Sequence, residues 1–186
     1  MRPNTWLRRR LALLAAAVLG ATAPLAGCSS FSDAVPSCGD PLRLAIIAQS
    51  VPTASYLPCL GDLPQGWDAS WFNPSRGSTS FRLDSDRSPR RPVTVELTAG
   101  CQTGGASPSP ARAPGVITYT RLDSTEPRFA GRLYDVFPGG CVTYTFDFAT
   151  GSQIALMEQF ETAVELYPRQ QLRLVLKQQL GVELNP

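Results

Sequence analysis

The stretch "VTVELTAGC", Val93 to Cys101, has the most regular pattern in the chain. Apolar side chains alternate there with polar ones: Val93, Val95, Leu97, Ala99 and Cys101 against Thr94, Glu96 and Thr98. A period of two is typical of a strand with one buried face, because successive side chains leave opposite faces. The stretch therefore predicts the strongest strand of the fold.

Shorter strand patterns stand on both sides of this strand. Trp67 to Trp71 and Thr79 to Leu83 precede it, and Ile117 to Leu122 follows it. The segment "RLYDVFPGGCVTYTFDF", Arg132 to Phe148, is typical of a hairpin that turns at Pro138-Gly139-Gly140. Together these patterns predict an antiparallel sheet of five or six strands, flat or curled.

Helical signals stand at both ends of the chain. Asp40-Pro41 fits an N-cap and a first helical residue. The short helix that follows is apolar nearly all round, so we expect it to be buried or packed on a sheet. Apolar residues from Ile154 to Val164 recur near a helical period, and Pro168 opens a final helix that ends near Gly181. A short N-terminal helix, an antiparallel sheet and C-terminal helices predict an α+β domain.

The first 27 residues have the features of a secretory signal. Arg2, Arg8, Arg9 and Arg10 precede an apolar run from Leu11 to Ala23, which is too short to span a bilayer. The segment Leu25-Ala26-Gly27-Cys28 resembles the lipobox of bacterial lipoproteins. The resemblance implies that Cys28 is lipidated and begins the mature protein, on the extracytoplasmic face of the cell membrane. A secreted protein with Cys28 in a disulfide is the alternative.

This reading divides the chain into a signal peptide (1–27), a lipidated tether (28–37) and a single disulfide-stabilised domain (38–186). Four of the 17 basic residues and none of the 15 acidic residues precede Cys28. The mature part therefore has 13 basic and 15 acidic residues, a formal net charge of −2. That charge gives no support to binding of nucleic acid.

The remaining cysteines are even in number, which predicts disulfides in an oxidising compartment. We favour the pairs Cys38–Cys59 and Cys101–Cys141. In a flat meander the second pair would lie on strands separated by two others, too far apart for a disulfide. The sheet must then curl, or its strand order must differ from the sequence order. The loop "QTGGASPSPARAPG", residues 102–115, is too polar and too rich in breakers to be expected in the packed domain.

The candidates for chemistry are few. The chain has no histidine and no CxxC spacing, so we predict no metal site, no cofactor and no imidazole base. Asp84 and Asp86 could serve as a carboxylate pair in sugar hydrolysis, or could bind Ca²⁺ together with serine and backbone oxygens. We favour a third interpretation, that they lie in a solvated turn. No catalytic residue is predicted.

A candidate binding surface comprises two tryptophans and the arginines of a predicted turn: Trp67, Trp71, Arg87, Arg90 and Arg91. The two tryptophans are four apart, so on a strand they would share a face. We favour the core for that face, since large aromatic side chains dominate core burial. An exposed aromatic binding surface is the alternative, and the arginines could otherwise keep a sheet edge soluble.

The function expected from these observations is a non-catalytic binding or interaction role in the cell envelope. The partners would be the membrane, through the lipid anchor, and an envelope protein or a lipid. A lipid carrier with a deep apolar cavity is one alternative, since the size and lipobox resemble those of half-barrel lipid-carrying lipoproteins. A hydrolase with converging carboxylates is another.

Overall fold

The computed structural model describes residues 35–149 and 153–184, without the side chains of residues 89–91 and 153. The signal peptide, Cys28 and most of the tether therefore lie outside the described residues. These contain three helices, α1 Pro41–Ser50, α2 Gln153–Ala163 and α3 Arg169–Leu180. They also contain nine strands, β1 Tyr56–Leu60, β2 Trp67–Ser75, β3 Ser78–Ser85, β4 Ser88–Thr98, β5 Ser107–Ser109, β6 Ile117–Ser124, β7 Arg128–Phe137, β8 Gly140–Ala149 and β9 Val164–Pro168.

The fold is mostly β, with one antiparallel sheet of seven strands and a second of two. The predicted α+β domain with a sheet of five or six strands is therefore wrong. The sequence analysis missed β5, which lies in the predicted loop 102–115. It also missed β1 and β9, which pair with each other across more than 100 residues. Each is short and contains a proline, Pro58 or Pro168, so their pairing depends on tertiary contact rather than on a local pattern.

The large sheet has the order β2-β3-β4-β8-β7-β6-β5. Strand β4 pairs with β8, and Thr98 lies opposite Cys141 in that pair. The sheet thus has a non-sequential order, which resolves the difficulty with the second disulfide. The cysteines are joined as predicted, with Cα atoms 5.0 Å apart in Cys38–Cys59 and 5.8 Å apart in Cys101–Cys141.

The core lies between one face of the large sheet and the helices. On β8 the alternating side chains Tyr144, Phe146 and Phe148 are buried, as the sequence pattern predicts. Phe160 of α2 lies against all three, with ring centroids 5.9–6.3 Å apart. The opposite face of the sheet carries threonine, serine and charged residues, as expected for an antiparallel sheet solvated on one side.

Helix α1 begins as predicted, with Pro41 in its first turn. The Asp40 side chain accepts hydrogen bonds from the backbone N–H groups of Leu42 and Arg43. Its inner face, including Leu44 and Ile47, is buried. Its outer face is exposed, and the helix contacts β2 and β3 of the large sheet. Of the two predicted placements, packing on the sheet is therefore confirmed. Among the described residues, no helix is long and apolar enough to cross a membrane.

Candidate functional site

Trp71 lies at a β-bulge in β2, an edge strand of the large sheet. Ser70 pairs with Arg82 and Asn73 pairs with Ser80, so two residues of β2 stand opposite one residue of β3. Trp71 has a φ of 54°, in the left-handed region, where a bulky residue is strained and glycine is usual. Among the described residues it is the one non-glycine residue with positive φ.

The bulge separates the two tryptophans that were predicted to share a face. Trp67 is buried in the core, but 43% of Trp71 is exposed. The expectation that both tryptophans belong to the core is therefore wrong for Trp71. The left-handed residue interrupts the alternation of the strand.

An arginine lies against the exposed indole. The Arg82 guanidinium lies over the Trp71 ring, 4.0 Å from its centroid, within the range of a cation–π interaction. On the same face of the sheet, the Ser70 hydroxyl donates a hydrogen bond of 2.7 Å to Asp84. We call Ser70, Trp71, Arg82 and Asp84 the Trp71 surface.

Two other predicted binding residues have a structural role. The Trp67 indole N–H donates a hydrogen bond of 2.8 Å to the side-chain oxygen of Gln159, on α2. Arg87 donates to the same oxygen, and its guanidinium is 3.6 Å from a carboxylate oxygen of Asp86. These contacts attach α2 to the sheet, so the structure does not group Trp67 and Arg87 with Trp71.

Four predicted residues remain, two arginines and two aspartates, and the structure describes the side chains of the aspartates alone. The side chains of Arg90 and Arg91 lie outside the described part of the structure. Asp84 is half-buried on the sheet, whereas Asp86 is exposed in the turn after β3. The two carboxylates have different partners, Ser70 and Arg87.

A second candidate site begins with a buried carboxylate that the sequence reading missed. Asp135 on β7 is fully buried. It accepts hydrogen bonds from Thr118 (2.7 Å), Tyr144 (2.9 Å) and Arg112 (2.9 Å). Burial raises the pKa of Tyr144 well above its ordinary value, and the nearby charge of Asp135 raises it further. The position of Asp135, between buried Leu133 and Phe137 on an alternating strand, is the signal that could have revealed it.

Arg112 comes from the segment that was expected to remain outside the packed domain. Its guanidinium is largely buried and donates to the backbone carbonyls of Glu161 (2.5 Å) and Val164 (2.7 Å) as well as to Asp135. That expectation is therefore wrong, because the buried ion pair orders the segment. The arginine joins β7 to the end of α2 and the start of β9.

A cleft of about 560 Å³ opens beside this arginine. We call it the Arg112 cleft, and its lining comprises Arg112, Ala113, Glu158, Glu161, Thr162, Val164, Glu165 and Leu166. Burial raises the pKa of Glu161, and the charges of Asp135 and Glu158 raise it further, while Arg112 opposes them. A carboxyl group with a raised pKa in a cleft is a candidate acid–base group.

The remaining chemistry is limited in the described part of the chain. No group of three or more histidine, cysteine, aspartate or glutamate side chains there could hold a metal ion. A second cleft, of about 260 Å³, is lined by Arg173, Lys177, Glu183 and Leu184. The Arg112 cleft has a mostly polar lining and the second cleft is small, so neither is the deep apolar cavity that a lipid carrier needs.

Comparison with known proteins identifies no family for this chain. No protein-family model matches it, and no curated protein matches it. A solved structure from Bacteroides thetaiotaomicron is similar over 70% of this chain and 60% of its own, with 10% sequence identity and a TM-score of 0.32. A similarity of this size is compatible with unrelated functions.

Proposed function

We propose that this protein is a lipid-anchored, extracytoplasmic protein of the cell envelope that binds a protein partner without catalysis. Cys28 attaches it to the membrane, and the Trp71 surface makes the central contact with the partner. The observation that carries the binding role is the exposed, left-handed Trp71 beneath Arg82.

The strain at Trp71 favours a role outside folding. A bulge that protects the edge strand would form equally well with glycine at this position. Tryptophan is not needed for it, and the left-handed conformation costs a non-glycine residue about 1–2 kcal/mol. Strained residues of this kind cluster at functional sites. Tryptophan and arginine are also enriched among the few residues that carry most of the binding energy in protein interfaces.

Two further observations support the extracytoplasmic location. The lipobox-like segment ends at Cys28, and the domain contains two disulfides. Disulfides persist in oxidising compartments and are rare in the cytosol of most organisms. With Cys28 lipidated, all four remaining cysteines are paired.

The binding role is tested with Trp71→Gly, which removes the ring and suits the left-handed backbone. A photo-crosslinking residue at exposed Asn73 would report the proteins next to this surface in intact cells. We expect a defined cross-linked partner with the wild type and its loss with Trp71→Gly. Ile117→Ala is the matched control, since Ile117 is exposed on β6, near the opposite edge of the sheet from β2. An unchanged cross-linking pattern in Trp71→Gly would refute the binding role of this surface.

The anchor is tested separately by mass spectrometry of the amino-terminal peptide. We expect acyl chains on Cys28 in the wild type, and unprocessed or unlipidated protein after Cys28→Ala. An amino-terminal peptide without acyl mass in the wild type would refute the lipoprotein assignment, whatever the result at Trp71.

The Arg112 cleft favours a second candidate function, a carboxylate-dependent hydrolase. Glu161, with its raised pKa, would act as the general acid, and Glu158 or Glu165 would supply the second carboxylate. Release of reducing ends from envelope polysaccharide by the purified protein, abolished in Glu161→Gln, would support this candidate. Glu96→Gln on the solvated face of the sheet is the control. Absence of such release from the wild type would reject the hydrolase.

A further inference from the structure

Helix α1 presents an apolar stripe to solvent immediately after the domain begins. Leu42 is 60% exposed and Ile46, one turn later, is 46% exposed. Residues four apart lie on the same face of a helix, so the two side chains form one strip. Helix α3 packs against α1 and exposes two more leucines, Leu174 and Leu180.

The same two helices carry positive charge and contain no acidic residue. Their basic residues are Arg43, Arg169, Arg173 and Lys177. Two acids flank the helices and pair with them, Asp40 with Arg43 (2.8 Å) and Glu183 with Lys177 (3.2 Å). Without the buried Arg169, three basic and two acidic residues remain, so this surface keeps a formal charge of +1 in a mature chain whose formal charge is −2. An exposed apolar face combined with basic residues is typical of helices that lie on anionic membranes.

The four basic residues differ in their exposure. Arg173 and Lys177 are exposed on α3. Arg169 is buried and donates a hydrogen bond to the Ala48 carbonyl (2.7 Å), which fixes the start of α3 to the end of α1. The two helices are therefore held together at this point and pack against each other.

The position of the anchor limits how far this surface can lie from a bilayer. Val35 is seven residues after Cys28, and seven extended residues span at most about 25 Å. A domain of this size is about 40 Å across. Backbone hydrogen bonds join Leu60 to Pro36 and Cys38, so the tether ends at a fixed point, three residues before α1.

We propose that the exposed face of α1 and α3 rests on the membrane surface when Cys28 is lipidated. Leu42 and Ile46 enter the interface between headgroups and acyl chains, and Arg173 and Lys177 contact anionic headgroups. This inference rests on the lipid anchor of the proposed function. The contact orients the domain and leaves the Trp71 surface available to its partner.

The test places a fluorescent reporter on each side of the domain. Ile46→Trp puts an indole in the stripe, and Thr145→Trp puts one on the solvated face of β8. The mature lipoproteins are reconstituted in vesicles of phosphatidylcholine and phosphatidylglycerol, with or without brominated acyl chains, which quench tryptophan on contact. We expect the brominated lipid to quench Ile46→Trp about twofold more than the wild type, because such helices sit about 5–10 Å into the interface. Thr145→Trp should behave like the wild type.

Each outcome of this test decides the proposal. Quenching in Ile46→Trp no greater than in the wild type would overturn it. A blue-shifted but unquenched Ile46→Trp would show that a second copy or another protein covers the stripe, and would also overturn it. Cys28 acylation is measured on the same preparation. An acylated protein without quenching refutes the membrane contact alone, whereas an unacylated wild type refutes the lipoprotein assignment and this contact with it.

Discussion

At the scale of single residues, Trp71 shows how one backbone conformation changes the role of a side chain. The strand pattern predicted a core tryptophan, for which replacement by alanine would cost about 3–5 kcal/mol. The structure instead gives it a φ of 54° and leaves it 43% exposed. No sequence pattern marks this bulge, because tryptophan is an unusual residue at a left-handed position.

The first prediction follows from that conformation. Trp71→Gly should be more stable than Trp71→Ala by about 1 kcal/mol, because glycine adopts positive φ without strain and alanine does not. Denaturant unfolding of the wild type and both variants measures the difference. Two results would contradict the placement of this residue: a loss of stability in Trp71→Gly as large as that expected for a core tryptophan, or equal stabilities of the two variants.

Glu161 gives a prediction about pH. Its folded-state pKa is raised above the ordinary value of 4.5, first by burial and then by Asp135 and Glu158, with Arg112 opposing. Glu161 therefore keeps its proton to a higher pH in the folded state than in the unfolded state. The free energy of unfolding falls as pH rises from about 4.5 through the folded-state pKa. Glu161→Gln should raise the melting temperature at neutral pH and lose that advantage well below pH 4.5. Glu96→Gln is the control. An advantage that persists unchanged in acid would contradict the raised pKa.

At the scale of elements, the Arg112–Asp135 pair joins parts of the chain that are distant in sequence. Arg112→Met should cost about 3–5 kcal/mol, because it leaves Asp135 charged and buried without its cation. The double variant Arg112→Met with Asp135→Leu should recover much of that loss, since replacing both members of a buried pair is often neutral. Chemical denaturation of the two variants and the wild type provides the comparison. A double variant no more stable than Arg112→Met would contradict this prediction, and would show that Asp135 stabilises the fold through Thr118 and Tyr144 even without Arg112.

The elements also show where sequence reasoning succeeds and where it stops. Strand β8 and the cap of α1 were predictable, because alternation and an Asp-Pro N-cap are local signals. The disulfide pairs were predictable too, by parity and loop position. The β1–β9 sheet and Arg112 were not predictable, because their partners are distant in the chain. The prediction for Trp71 failed for a different reason. A bulge changes the face of the sheet to which every later residue in its strand points.

At the scale of the whole molecule, the two-stranded sheet makes the end of the chain part of the core. Strand β9 pairs with β1, and Val164, Leu172 and Leu176 from β9 and α3 are almost fully buried. Burying each of these side chains contributes about 1.5–3 kcal/mol. Losing all three contacts is therefore a large change for a domain whose net stability is usually about 5–15 kcal/mol.

The last prediction is that removing this end unfolds the domain. Deletion of residues 164–186 should abolish the cooperative thermal transition, because it exposes Leu57 and Leu60 of β1 and the inner face of α1 together. Deletion of residues 182–186 is the matched control. It keeps β9 and α3 and removes the exposed Val182 and Glu183 and one half-buried core contact, Leu184, so it should lower the melting temperature only slightly. Unfolding of the longer deletion is followed by circular dichroism. A cooperative transition would contradict the prediction, because it would mean that the seven-stranded sheet folds without β9 and α3.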